Sequence, residues 1–142
     1  MIGRSIIGSV YDESESPPVT REEIREFAAA MGETNPLHAG EAPIAPPTFC
    51  VRFRGELFFH PKVPRALLLT GFDAGKDITF GAPIRPGDVV RSTSVVHDIY
   101  EKTGRTGTMV FIVSRQRQVN QRGDMVAVID SRFVCRPEGD RK

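Results

Sequence analysis

The second half of this chain leaves it little choice of fold. From residue 76 to residue 136, apolar runs alternate with turn sequences. "KDITFGAPI" reads as a strand and "IRPGD" (84–88) as a turn. "VVRSTSVVHDIYE" is a second strand, closed by the hairpin connection "KTGRTG". "TMVFIVSRQRQV" is a third, and "NQRGD" turns it into a fourth, "MVAVIDSRFVCR". The third carries five apolar residues in a row, Met109 to Val113. Such a run predicts burial on both faces, and a partner subunit is the simplest cover for the second face.

Helical signals lie before the strands. "SIIGSVY", within residues 1–11, suits one short strand, and "DESESPP" reads as a linker. Thr20 with Glu23 three positions later is the capping-box pattern. Ile24, Phe27, Ala28 and Met31 then follow the spacing of one apolar helix face, and Gly32 suits the position after the last turn. A second helix is expected to open in "APPTFCVRFRGELFFHP", because proline is tolerated in a first turn and Pro61 stops the element. Phe49, Phe53 and Leu57 form its ridge, widened by Val51 and Phe58. Arg52, Arg54 and Glu56 break that pattern and must face a rim, a groove or a subunit boundary. Helices followed by grouped strands indicate an α+β layer fold. A sheet curled around the second, central α-helix meets every burial demand, and that arrangement is a hot-dog fold.

At 142 residues the chain is long enough for one domain, taken as 1–142, with a real core. No run approaches 18 apolar residues, so no membrane span is expected, and "MIGRSIIGSVYDESES" lacks the apolar core of a signal peptide. The net charge of +1 argues against nucleic acid as a partner. Cys50 and Cys135 are far apart and lack metal spacing, which fits reduced thiols in a cytoplasmic protein. "GFDAGKD" (71–77) is one residue short of a phosphate loop and has Asp77 where Ser or Thr must bind magnesium. "RGD" (122–124) reads as a turn. His60 and His97 read as a helix-end and a strand histidine, and three scattered histidines make no metal site.

"GETNPLH" (32–38) carries the chemistry. Pro36 fixes its own φ and keeps Asn35 extended, so the segment is a stiff, non-helical loop. Asn35 can hold the bend through the local backbone. Glu33 and His38 can then meet a common point, position a water and move protons. Addition of water to an α,β-unsaturated thioester is a reaction of this kind. Its enolate-like intermediate needs donors, which the backbone N–H groups of Thr48 and Phe49 at the start of the second helix can supply. A polar loop that merely caps two elements is the alternative reading of the same residues.

"GETNPLH", then "APPTF", then "IRPGD" before a strand, resembles the MaoC-like hydratase/dehydratases of the hot-dog superfamily. The resemblance runs from about residue 20 to 136, and it is nearest to the N-terminal-domain type, such as the first subunit of hydroxyacyl-ACP dehydratases. It implies reversible hydration of a trans-2-enoyl thioester to the (R)-3-hydroxyacyl product, a lyase reaction of fatty acid metabolism. The substrate would ride on coenzyme A or acyl carrier protein, with no metal or redox cofactor. The working unit would be a homodimer or a heterodimer with a second MaoC-like chain. The family pattern G-D-x-N-P-x-H places His38 and Asn35 on its histidine and asparagine, and Glu33 on its catalytic aspartate. Glutamate shifts the carboxylate by up to ~1.5 Å, which can cost about 10²-fold in rate. The segment between His38 and "APP" is short, which implies an open pocket or one completed by a partner. Arg52 and Arg54 could meet coenzyme A phosphates or line the dimer rim. Two other readings stand beside the hydratase. One is a non-catalytic subunit of a heteromeric dehydratase. The other is a hot-dog thioesterase, for which Glu56 is the one candidate carboxylate.

Overall fold

Antiparallel pairing joins five strands into one sheet in the computed structural model, which describes residues 3–137. The strands are β1 (Val10–Glu15), β2 (Phe72–Phe80), β3 (Arg91–Gly104), β4 (Gly107–Val119) and β5 (Met125–Cys135), in the spatial order β1-β3-β4-β5-β2. Helix α1 spans Arg21–Ala30 and a single-turn helix α2 spans Arg65–Leu68. This is the expected α+β hot-dog fold. The ends of the expected 1–142 domain, residues 1, 2 and 138–142, lie outside the described residues.

The first strand begins later than "SIIGSVY" suggested and includes "DESE", read above as linker. Arg4–Ile6 is a 3₁₀ turn instead. β1 runs along the sheet edge against β3, with Asp12 opposite Ser94 and Ser14 opposite Ser92. An edge strand can be polar because only one side of its backbone is paired.

Helix α1 forms as its sequence predicts. The Thr20 hydroxyl accepts from Glu23 N–H, and the Glu23 carboxylate accepts from Thr20 N–H. Ile24 and Ala28 are buried, Phe27 packs against the core, and Met31 is exposed. Phe27 meets the Phe49 ring edge-on at 5.4 Å, and Phe49 meets Phe53 at 5.7 Å. These rings tie α1 to the inner face of the sheet, where Val126, Ala127 and Ile129 complete the cluster.

The expected helix over residues 45–61 is replaced by a 3₁₀ turn, Pro47–Arg52. Its ladder is taken over by side chains from the sheet. Gln118, fully buried on β4, donates to the carbonyls of Cys50 (2.8 Å) and Phe53 (3.4 Å). Leu57 N–H, which an α-helix would pair with Phe53, donates to Asp12 Oδ1 instead. Gly55 lies so close to Asp12 that an added Cβ would sit 2.2 Å from the carboxylate. A helix interior also disfavours glycine by about 1 kcal/mol. The ridge therefore splits: Phe49 and Phe53 are buried, while Val51, Leu57 and Phe58 are exposed.

The apolar run on β4 is covered in part without a second chain. Val110 and Ile112 face the inner cluster, and Val113 is also buried. Phe111, on the other face, stacks flat on the cross-strand Tyr100 at 4.9 Å. Cys50 and Cys135 are free, and each sits in a different apolar cluster. Burial pushes both thiols up. Only the thiolate is reactive, so Ellman's reagent should leave both unlabelled in the native protein and label both after denaturation.

Candidate functional site

The end of α1 presents "GETNPLH" as a rigid excursion. Gly32 adopts φ +68°, which an L-side chain resists. Gly32 N–H donates to Ala29 and Glu33 N–H to Ala28, the paired bonds that close a helix C-terminus. The chain leaves the helix at Glu33 with its direction fixed.

Asn35 joins the two candidate catalytic residues. Its N–H donates to Glu33 Oε1 at 2.9 Å, and its carbonyl accepts His38 N–H at 3.1 Å. Its own Oδ1 accepts Leu37 N–H at 3.0 Å and caps the 3₁₀ turn Pro36–His38. Asn35 thus holds the bend, orients the Glu33 carboxylate on one side and fixes the backbone of His38 on the other.

The His38 ring is half-buried, with Nδ1 lying 2.6 Å from the carbonyl of Ile44. A carbonyl can only accept, so Nδ1 carries a proton. In the neutral ring the lone pair is then on Nε2. Ile44 N–H donates back to the Leu37 carbonyl at 2.7 Å and closes the loop. Arg25 Nε donates to the Gly40 carbonyl at 3.1 Å, and Arg21 pairs with Glu41, so α1 clasps the same loop from outside. Sequence reasoning missed Ile44, Arg21 and Arg25. The two arginines stand one turn apart on the polar face of α1, a visible signal. The Ile44 carbonyl has none, because it is backbone.

The other expected residues lie outside the 32–38 loop. Thr48 and Phe49 lie in the next 3₁₀ turn, Pro47–Arg52. Phe49 N–H already donates to the Pro46 carbonyl at 2.9 Å, which corrects its expected role as an oxyanion donor. Thr48 N–H has no acceptor among the described residues. The Arg52 and Arg54 guanidiniums lie over the Phe49 and Phe58 rings at 4.7 and 4.6 Å. Glu56 is exposed and outside any helix. His60 Nδ1 accepts from Lys62 N–H, and His97 is exposed.

Glu33 and Asn35 are exposed, and neither Glu33 nor His38 lines the cavity under the 51–59 segment or the smaller one beside Ser16 and Arg52. Two apolar side chains flank the pair in the open, Met31 at 61% and Leu37 at 59% exposure.

The site is braced from the far side by the "IRPGD" turn. Asp88 is 2% exposed and accepts from Arg85 N–H (2.9 Å), Gln121 Nε2 (3.0 Å) and Arg122 Nη1 (3.1 Å). Burial pushes its carboxyl up, but these donors outweigh burial and hold it below the usual carboxylate range. The "RGD" letters thus serve a turn whose arginine pairs with Asp88. The preceding residue, Ile84, accepts Ala45 N–H at 2.9 Å. That bond anchors the loop whose Ile44 carbonyl fixes His38.

Residues 5–129 match the family described as FAS1-like, dehydratase domain region. A UPF0336 protein of Thermobifida fusca (strain YX) is 34% identical over 117 residues, covering 72% of this chain and 76% of that protein. Among solved structures, the HadBC (3R-hydroxyacyl-ACP dehydratase) complex of Mycobacterium tuberculosis aligns with TM-score 0.71 at 22% identity, over 91% of this chain and 96% of that one. The ChsH1-ChsH2 complex of the same organism aligns with TM-score 0.70 at 16% identity, over 89% and 84%.

Proposed function

Because the chain belongs to the family of FAS1-like dehydratase domain regions, we propose that it reversibly hydrates trans-2-enoyl thioesters to (R)-3-hydroxyacyl thioesters, with Glu33 and His38 as the acid/base pair. The observation that carries this reading is the 2.6 Å contact from His38 Nδ1 to the Ile44 carbonyl. It leaves Nε2 as the ring atom that exchanges protons. In hydration, the Glu33 oxygen not engaged by Asn35 takes a proton from water as the water oxygen bonds to C3. The C2–C3 π electrons move to C2 through the thioester enolate. His38, entering with a proton on each ring nitrogen, delivers Nε2–H to C2 and returns to the neutral ring with Nδ1–H on Ile44, and Glu33 passes the proton it took back to solvent. Thr48 N–H is the donor assigned to the enolate oxygen. Dehydration runs the same transfers backwards. Each transfer belongs to acid–base catalysis worth about 10²–10⁴-fold. The acyl group rides on coenzyme A or an acyl carrier protein, and the steps are proton transfers that call on no metal or redox cofactor.

The exposure of Glu33, Met31 and Leu37 favours a site walled by a second chain. The reading therefore includes a partner, either a second copy or another MaoC-like subunit. A subunit whose own pair is idle beside an active partner is the second reading. The thioesterase reading loses its ground, because Glu56 lies off any helix. Among the described residues, no helix is long and apolar enough to cross a membrane. The buried free thiols accord with a cytoplasmic setting.

Glu33→Gln separates the two readings. A glutamine Oε1 still accepts Asn35 N–H, so the turn stays closed while the base is gone. Hydration of crotonyl-CoA should fall about 10²–10⁴-fold with the melting temperature unchanged. An unchanged rate in this variant would assign the chemistry to the partner.

A further inference from the structure

The inner face of the sheet is polar across its middle. Ser94 on β3 stands opposite Gln116 on β4, and Ser114 on β4 stands opposite Ser131 on β5. This row separates two apolar clusters, one around Phe49 and Phe53 and one around Ile112 and Val63. Between the row and the 51–59 segment lies a cavity of about 480 Å³. Ligand pockets usually span about 300–1,000 Å³, apolar in the main with a few placed polar groups. Stability alone would favour filling this space with aliphatic side chains, because polar groups taken from water cost free energy unless paired.

The polar groups are oriented. Gln118 Nε2 donates to Gln116 Oε1 at 2.8 Å, so Gln116 keeps its Nε2 hydrogens to offer, and they find no acceptor among the described residues. The Tyr11 hydroxyl, at one end of the cavity, donates to the Phe58 carbonyl at 3.3 Å and ties the 51–59 segment to β1. The walls are Phe58, Phe59, Ile129 and Phe133. At the exposed side sits Arg54 over the Phe58 ring. The nearby charges are matched, Lys76 with Asp73 and Arg132 with Asp77. Among the described residues Arg54 has no carboxylate partner, and it is the cavity's uncompensated cation.

We infer that this cavity is a binding site for a hydroxylated apolar monocarboxylate. Its carboxylate pairs with Arg54, its hydrocarbon body lies along the phenylalanines, and its oxygen meets Gln116 Nε2 and the serine row. The inference does not use the hydratase reading, since Glu33, Asn35 and His38 take no part in the cavity.

Calorimetric titration of the full chain with ω-hydroxy acids of eight to twelve carbons, beside the parent acids, tests this. At least one hydroxy acid should bind saturably, about tenfold or more tighter than its parent, a gap of about 1.4 kcal/mol. Gln116→Leu should abolish that preference, and Arg54→Gln should weaken both ligands alike. Ser131→Val provides the same test at a second position, should Gln116→Leu fail to fold. Parent acids binding as tightly, the preference surviving in a folded variant, or a cavity closed by self-association with no saturable binding would each overturn the inference.

Discussion

Replacing His38 by alanine should lower enoyl-thioester hydration by about 10²–10⁴-fold, the scale of a lost general acid or base, and leave the fold standing. The structural cost is small. Among the described residues the half-buried ring makes one hydrogen bond, to the Ile44 carbonyl, worth about 1 kcal/mol net. His38→Asn isolates the chemical role. An asparagine Nδ2 falls near the position of Nδ1 and can still donate to Ile44, so the loop stays closed without a titrating nitrogen. Steady-state kinetics on the two variants should show the same deep loss. Wild-type rates in His38→Asn would mean that the ring only fastens the loop.

Asp88→Ala should produce the largest loss of stability. Three donors converge on this carboxylate, and its side chain is 3% exposed. Removal leaves Arg85 N–H and the Gln121 amide without acceptors in a closed turn. Arg122 is half-exposed and returns to water, which keeps the cost below that of a fully buried ion pair. About 3 kcal/mol is expected, read as a drop of roughly 10 °C in melting temperature. The effect has a pH signature. A carboxyl held low in the folded state stabilises above its unfolded value of about 3.9, and that stabilisation is lost as pH falls through the folded value. Asp130 behaves alike, because Arg115 grips it bidentately at 2.7 Å and holds its carboxyl down. Chemical denaturation from pH 6 down to pH 2 should therefore show a falling midpoint. Asp88→Asn should start lower at pH 6 and lose less below about pH 4. An unchanged slope in that variant would place the acid sensitivity elsewhere. Since Ala45 hangs from Ile84 beside this turn, Asp88→Ala should also loosen the loop that fixes His38.

What the sequence made legible was local. The capping box of α1, the glycine that ends it and the hairpin turns depend on residues a few positions apart, and all formed where the letters put them. The 45–61 segment failed as a helix for a non-local reason. Gln118 and Asp12, distant in sequence, take the hydrogen bonds that an α-helix would have kept. Its breaks at Arg52, Arg54 and Glu56 were visible, but not their cause. "DESE" looked like linker because an edge strand carries few of the apolar residues that announce a strand. In the site, the reach of Asn35 to both neighbours was legible from "ETNPLH". The proton placement on His38 was not, because it rests on a backbone carbonyl six residues away. The open setting of the pair was foreshadowed by the short segment after His38. The wall proposed from another chain would be built of residues outside this one.

The central claim is that Glu33 and His38 make this fold a hydratase. Its most direct test is the disappearance of enoyl-thioester absorbance when the purified chain meets crotonyl-CoA, alone and mixed with a MaoC-like second subunit, followed by chiral analysis of the product. Loss of absorbance is expected, with (R)-3-hydroxybutyryl-CoA as the product. A folded chain that hydrates no enoyl thioester, of any tested length and on either carrier, with or without the second subunit, would contradict it.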